Sequence, residues 1–264
     1  MSSRAFNVRL PFLLTALATL VALETACSAT GTDTDEAESS ESSVVGGTPT
    51  GHPAIVAIAN EKDLFECSGV MIRPDTVFVP TYLCARYATA AYPGFSAPVR
   101  KDAALGQVPG AAPSKISVVP GMKAFGGVGY LVRLQAPAAS WLAPATREPA
   151  VGDVCDVIGT GAPAYKAEFV GLQRVAKARV TKVASGYARA TGVDGSAEAY
   201  EASAFLICDG TLNGSYAYTS DFDENPLHNE VAFDSLAYGR VADALTKALE
   251  ELAASSTDGG GEGG

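Results

Sequence analysis

The chain has 264 residues, of which 47% are hydrophobic and 18% are charged. This apolar content is too high for a disordered protein, and the length suffices for one two-layer domain or for two small barrels. The net charge of −10 argues against nucleic-acid binding, because a surface that binds phosphates needs clustered Lys and Arg.

The first 26 residues have the pattern of an export signal. Arg4 and Arg9 precede a mainly apolar run at residues 10–23. A basic flank followed by a short apolar run is typical of a secretory signal peptide and is too short to span a membrane well. No later stretch reaches the ~18 apolar residues that a transmembrane helix needs.

The export signal ends in L-E-T-A-C at residues 23–27, which resembles the lipobox of bacterial lipoproteins. Thr25 and Ala26 fit the positions before the lipidated cysteine, whereas Glu24 stands where leucine is usual. The resemblance implies lipidation of Cys27 and a place at the outer membrane or surface of a bacterial cell envelope. Ordinary cleavage near Ala26 without lipidation would instead give a secreted protein.

Two further segments lack the residues needed for packing. Residues 27–43 form an acidic stretch, with five acids and no basic residue between 30 and 43. Such a composition remains extended in water, so we expect a disordered tether. Residues 255–264 are rich in glycine and are expected to form a disordered tail. The folded domain is therefore expected at residues 44–254.

Short β-type runs separated by Gly and Pro fill this domain. The candidate strands are residues 54–59, 67–72, 76–79, 116–119, 129–134, 154–158, 172–183, 204–208 and 215–219. One helix is predicted near the end, where Val241, Leu245, Leu249 and Leu252 recur at helical spacing. The pattern indicates an all-β protein, either a sandwich or barrels, closed by one C-terminal helix.

Four cysteines remain after Cys27, which is an even number in an exported chain. Disulfides are the expected state, and four cysteines allow three pairings between which the spacing does not choose. A zinc site is disfavoured because no C-x-x-C motif occurs and His52 and His228 are the only histidines. No P-loop or G-x-G-x-x-G motif follows a predicted strand, so we expect neither a metal nor a cofactor.

Seven short segments match, in chain order, the motifs of one known family. They are residues 44–47 (VVGG, for IVGG), 66–72 (for C-[GS]-G-x-L-I), 78–84 (for V-L-T-A-A-H-C), 128–134 (for D-I-A-L-L-K-L), 154–161 (for C-x-V-x-G-W-G), 201–210 (for D-S-G-G-P-L-V-C-x-G) and 238–241 (for Y-T-R-V). Together they resemble the trypsin-like and chymotrypsin-like serine proteases over residues 44–252.

This resemblance implies two packed six-stranded antiparallel β-barrels followed by a C-terminal α-helix. It also selects one pairing of the cysteines, Cys67 with Cys84 and Cys155 with Cys208.

The family's catalytic triad is replaced at all three positions. Leu83 stands at the position of the histidine, Val128 at that of the aspartate and Ala202 at that of the serine. None of these side chains can attack a carbonyl or transfer a proton. Tyr200 replaces a glycine beside the oxyanion hole. We expect Leu83, Val128 and Ala202 to pack together in the former catalytic space.

One alternative alignment would retain a catalytic pair. A one-residue register shift would offer Ser203 as nucleophile with His228 as base, but it would break the match at Cys208.

A trace of the family's activation step also remains. In that family, cleavage frees an N-terminal amino group that pairs with an aspartate, and Glu201 retains a carboxylate at the position of this aspartate. Because two serines precede Val44, no tryptic cleavage site is present there, and the segment is expected to lead into a strand.

The leading functional hypothesis is a monomeric, exported, inactive protease homologue that binds a protein or peptide partner. It would contact the membrane only through the lipid anchor and would not bind nucleic acid. The alternatives are an active serine endopeptidase that uses non-standard residues and a structural protein of the envelope.

Overall fold

The computed structural model describes residues 47–108, 115–160, 169–193, 204–220 and 230–255. The predicted signal peptide, tether and tail lie outside these ranges, apart from Ser255, which caps the last helix. Within the described ranges, no helix is both long and apolar enough to cross a membrane.

The described chain is built mainly from short strands. In chain order the elements are β1 (Thr48–Pro49), β2 (Ile55–Ala59), β3 (Phe65–Arg73), β4 (Thr76–Val79), α1 (Tyr82–Tyr87), β5 (Ala90–Pro93), β6 (Val99–Arg100), a 3₁₀ turn (Leu105–Gln107), β7 (Ile116–Phe125), β8 (Gly129–Leu134), β9 (Val154–Gly159), β10 (Phe169–Val170), β11 (Arg174–Ala184), β12 (Tyr187–Gly192), β13 (Ala204–Cys208), β14 (Thr211–Ser220), β15 (Glu230–Ser235) and α2 (Gly239–Ala254).

The first barrel closes in the order β2-β3-β4-β8-β7-β5, with antiparallel neighbours throughout. Its strand β2 is buried on both faces. Val56 and Ile58 belong to the main core, whereas Ala57, which alternates with them along the strand, packs on the opposite side with Tyr92 and Phe95. This double burial explains why β2 reads as a continuous apolar run rather than as an alternating one.

The second barrel follows the order β11-β12-β15-β14-β13-β9 and closes through the pairing of β9 with β11. Its strand β11 alternates, since Ala178 and Val180 are buried and Lys177 and Arg179 are exposed. The two closed six-stranded antiparallel barrels and the C-terminal helix confirm the predicted fold class.

Two disulfides connect neighbouring elements. Cys67 in β3 is bonded to Cys84 in α1, with 5.8 Å between their Cα atoms. Cys155 in β9 is bonded to Cys208 in β13, with 4.5 Å between Cα atoms. This is the pairing that the resemblance implies, and the enclosed separations of 17 and 53 residues correspond to about 3 and 4 kcal/mol of loop-closure stabilisation.

The C-terminal helix packs on the first barrel. Val241, Leu245 and Leu249 are buried in the main core, and Lys123 of β7 forms an ion pair with Glu251 at 2.6 Å. The helix begins at Gly239, so the segment matched to Y-T-R-V lies at the start of the helix. The strand that precedes the helix is β15, a strand of the second barrel that the sequence analysis did not predict.

Buried polar groups join the two barrels. The side chain of Gln173, which is fully buried, accepts a hydrogen bond from the backbone N–H of His52 at 2.8 Å and donates to the carbonyl of Phe95 at 2.8 Å. Ser68 Oγ donates to the carbonyl of Thr160 at 3.0 Å. Because unpaired buried polar groups are costly, these bonds specify how the barrels meet.

Candidate functional site

Leu83, which the sequence resemblance matches to the family's histidine, lies on the short helix α1. The helix begins at the N-cap Thr81, whose Oγ1 accepts a hydrogen bond from the backbone N–H of Cys84 at 3.4 Å. The disulfide between Cys67 and Cys84 attaches α1 covalently to β3. The cap and the disulfide thus hold this six-residue helix, which is too short to be stable by itself.

The expected packing of Leu83 against Val128 and Ala202 is wrong for Leu83, which is 60% exposed. The physical reason is the orientation of α1. Cys84 and Ala85 form its buried face, because the disulfide draws Cys84 towards β3. Helical periodicity then directs the residue before Cys84 towards solvent.

Val128, which the sequence resemblance matches to the family's aspartate, lies in the turn between β7 and β8. Its side chain is partly buried against the main core, and its backbone N–H donates to the carbonyl of Phe125 at 3.2 Å. The next residue, Gly129, has no room for a side chain, since a Cβ there would lie 2.3 Å from Phe78 Cε2 and 2.8 Å from the carbonyl oxygen of Val79. The turn therefore packs in direct contact with β4.

The elements that carry Leu83 and Val128 are neighbours. The ring of Tyr82, beside Leu83, lies 5.8 Å from the ring of Tyr130, two residues after Val128. Strand β8 also pairs with β4, which leads into α1. The structure thus brings Leu83 and Val128, the residues matched to the first two triad positions, to adjacent elements, and both have hydrocarbon side chains.

Several residues of the predicted site lie outside the described residues. They are the triad position Ala202, the alternatives Ser203 and His228, the positions Tyr200 and Glu201, the segment beginning at Val44 and the lipidation residue Cys27. The described chain resumes at Ala204, where β13 is buried along its whole length.

His52 is the one histidine within the described residues. Its Nδ1 accepts a hydrogen bond from the backbone N–H of Ala54 at 3.3 Å. Burial lowers the pKa of His52, and the negative charge of Asp156 opposes this shift in part. These neighbours belong to the junction of β1, β2 and the second barrel, so His52 has a structural position. No group of three or more metal-ligating side chains occurs among the described residues.

An exposed aromatic cluster surrounds Leu83. Tyr82 and Tyr87 are 43% and 47% exposed, and the Cζ of Arg86 lies 5.8 Å and 5.6 Å from their ring centroids. We call Tyr82, Leu83, Arg86 and Tyr87 the α1 patch. Sequence reasoning missed it, although the pattern Y-L-C-A-R-Y contains the signal. A disulfide-bonded cysteine inside a short helix fixes one buried face, here Cys84 and Ala85, and leaves the opposite face to solvent.

The comparisons with known proteins bear on the fold. No family model matches the sequence, and no curated protein matches it. Among solved structures, the chain is similar to neuropsin, a serine protease expressed in the limbic system of mouse brain, with 17% sequence identity and a TM-score of 0.58. The match covers 77% of this chain and 98% of that one. At this identity the likeness establishes a trypsin-like fold and leaves the activity to be argued from the site.

Proposed function

We propose that this chain is an exported, catalytically inactive homologue of trypsin-like serine proteases that binds a protein or peptide partner. The observation that carries the proposal is the environment of Leu83. At the position where the family has its general base, α1 presents an exposed hydrocarbon side chain to solvent. Leu83 belongs to an exposed cluster with Tyr82 and Tyr87, and a cluster of exposed apolar side chains, unlike a single one, favours contact with another molecule.

The chemistry at the neighbouring position supports the inactive part of this proposal. Hydrolysis by a serine nucleophile requires a base within about 3.2 Å of the hydroxyl and a carboxylate that orients this base. Leu83 and Val128 offer neither group, and the turn that carries Val128 is fixed against β4 by the close approach at Gly129. A catalytic pair would have to be supplied by other residues.

The composition of the α1 patch supports the binding part. Tyrosine and arginine dominate the energetic centres of protein interfaces, whereas isolated exposed apolar residues are ordinary features of a surface. Here two tyrosines, a leucine and an arginine are adjacent on one helix that a disulfide holds in place. A rigid patch loses little conformational entropy when a partner binds.

Export and lipid anchoring form the remaining part of the proposal. The two disulfides among the described residues fit an oxidising compartment, and the lipobox-like segment at residues 23–27 would supply the anchor at Cys27. Metabolic labelling with a palmitate analogue tests this, with Cys27→Ser as the matched variant. Label in the unchanged chain but not in the variant supports the anchor. An unlabelled chain in the culture medium overturns it.

A fluorophosphonate probe tests the absence of catalysis. The probe reacts covalently with an activated serine, so we expect no labelling under conditions in which trypsin is labelled completely. Labelling of this chain would overturn the inactive assignment. The variant Ser203→Ala would then show whether the register-shifted alternative is responsible, because it removes the one nucleophile that this alternative offers.

A further inference from the structure

We propose that the α1 patch is a docking site for an acidic, apolar peptide segment of the partner. Arg86 would bind a Glu or Asp carboxylate of this segment, and adjacent large apolar side chains would pack against Leu83 and Tyr87. The inference rests on the proposed binding function and adds to it the surface and the chemistry of the ligand.

Two tyrosines hold the side chain of Arg86. Its Cζ lies 5.8 Å and 5.6 Å from the ring centroids of Tyr82 and Tyr87, and Nη1 donates to the hydroxyl of Tyr82 at 3.4 Å. A guanidinium has five N–H donors in a planar fork, and the hydroxyl of Tyr82 takes one of them. A carboxylate is the acceptor that matches such a fork with two parallel hydrogen bonds.

The charge of Arg86 is not paired with an acid within the described part of the chain. Among the described residues, no carboxylate lies within 4 Å of its nitrogens, and its polar contact is the one to Tyr82. Glu66 lines the same hollow, but its carboxylate accepts a hydrogen bond from the side chain of Asn60 instead. The positive charge of Arg86 is therefore available for a partner.

A hollow of about 470 Å³ adjoins Arg86 and Tyr87. Its lining is mainly polar, with Leu64 and Tyr87 as the apolar contacts, and Leu83 lies outside this lining. Its two acids are balanced by its two bases, so the hollow as a whole does not repel an anion. It has room for one large side chain, in contact with Leu64 and Tyr87, beside a carboxylate on Arg86.

The α1 patch is held rigidly on the first barrel. The ring of Tyr82 packs at 5.8 Å from that of Tyr130, and the Cys67–Cys84 disulfide attaches the helix to the barrel. The aromatic groups are thus already positioned in the unbound protein. A partner segment would add contacts without first ordering the helix, which favours binding.

Three capped hexapeptides test the proposal on the purified mature protein. GLEFLG contains the acid and the apolar side chains, GLQFLG replaces the acid by its amide, and GSESSG keeps the acid alone. Binding is measured by titration calorimetry and by the NMR signal of the Arg86 side-chain Nε–H group. We expect GLEFLG to bind about 10-fold more tightly than GLQFLG, as one charge-assisted pair would give, and GSESSG to bind weakest.

The matched variants separate charge from position. Arg86→Gln is expected to remove the preference for GLEFLG over GLQFLG, whereas Leu83→Ser is expected to weaken both complexes. The control is Arg147→Gln, which removes the same charge beside Asp209 from a side chain that is 81% exposed. This control is expected to retain the affinity for GLEFLG within about twofold, because exposed ion pairs contribute little.

The docking site is overturned if GLEFLG and GLQFLG bind equally, if Arg86→Gln leaves the affinity unchanged, or if no peptide shows saturable binding up to about 10 mM. Mass spectrometry of the recovered peptides distinguishes this failure from failure of the proposed function. Cleaved peptide would overturn the inactive assignment itself. Intact peptide without charge preference would overturn only the docking site.

Discussion

The ring of Phe78 meets the ring of Phe205 edge to face, with the centroids 6.1 Å apart and the planes at 69°. Phe78 belongs to β4 in the first barrel and Phe205 to β13 in the second, and both side chains are fully buried. Strand β4 leads into the helix of Leu83, and β13 begins two residues after Ala202. The contact therefore joins the strand that precedes the helix of Leu83 to the strand that follows Ala202 in the sequence.

This contact predicts energetic coupling between the barrels. Phe78→Leu and Phe205→Leu are each expected to lower the free energy of unfolding, and the double variant should reveal a coupling of about 0.5–1.5 kcal/mol. Urea unfolding measures all four proteins. The control pairs Phe78→Leu with Phe233→Leu, since Phe233 is buried in the core of the second barrel. If the double variant of Phe78 and Phe205 and that of Phe78 and Phe233 gave equal coupling energies, the contact between Phe78 and Phe205 would have no special role.

The close approach at Gly129 predicts that a single methyl group there is destabilising. Gly129→Ala would place a Cβ at 2.3 Å from the Phe78 ring, and either the ring or the backbone must move, at a cost of about 1–3 kcal/mol. Gly51→Ala is the control, because nothing lies within 4 Å of a Cβ at that position. Thermal unfolding of the two variants checks this, and equal melting temperatures would contradict it.

Leu83 and Val128 are predicted to differ in their effect on stability. Leu83→Ser should change the free energy of unfolding by less than about 0.5 kcal/mol, because the side chain is mostly exposed. Val128→Asp should cost about 1–3 kcal/mol, because Val128 packs against the core and the new carboxylate would lose part of its hydration. Chemical denaturation measures both. A large loss for Leu83→Ser would mean that α1 buries this residue.

Asp63 is predicted to contribute to the acid sensitivity of the first barrel. Its carboxylate accepts hydrogen bonds from the hydroxyl of Tyr92 at 2.6 Å, from Lys115 Nζ at 2.7 Å and from the backbone N–H of Gly106 at 3.0 Å. Burial acts to raise the pKa of Asp63, but these hydrogen bonds and the charge of Lys115 together outweigh it and hold the pKa below its ordinary value.

The lowered pKa determines the sign of the effect. The unfolded chain takes up this proton at a higher pH than the folded one, so the stabilisation is complete above about pH 4 and is lost as the pH falls through the folded-state pKa. Asp63→Asn should be less stable at neutral pH and should lose less stability on acidification. Asp243→Asn, exposed on α2, is the control. If Asp63→Asn lost as much unfolding free energy on acidification as the unsubstituted protein, the prediction would be contradicted.

Local sequence predicted the strands whose residues have a high intrinsic propensity for extended structure. The runs at residues 76–79, 129–134 and 204–208 have the bounds of β4, β8 and β13, because β-branched and aromatic residues between turn signals are typical of strands. Strands β5 (AAYP) and β12 (YARATG) were missed. Alanine-rich segments have little strand propensity, and they become strands here because neighbouring strands supply the hydrogen bonds.

The cysteine pairing likewise depended partly on local sequence and partly on long-range packing. The even number of cysteines predicted disulfides, but the choice among three pairings came from the resemblance to a fold. Proximity of Cys67 to Cys84 and of Cys155 to Cys208 depends on how β3, α1, β9 and β13 pack, which is a long-range property.

The candidate site was determined at two levels. Residue identity alone limits its chemistry, since Leu83 and Val128 cannot accept a proton whatever their surroundings. That Leu83 faces solvent beside Tyr82 and Tyr87, rather than packing against Val128, depends on how α1 sits on the barrel. The physical reason is the Cys67–Cys84 bond, which turns one face of α1 towards β3 and leaves the other face to water. Residue type specifies what a position can do, and packing specifies what it can contact.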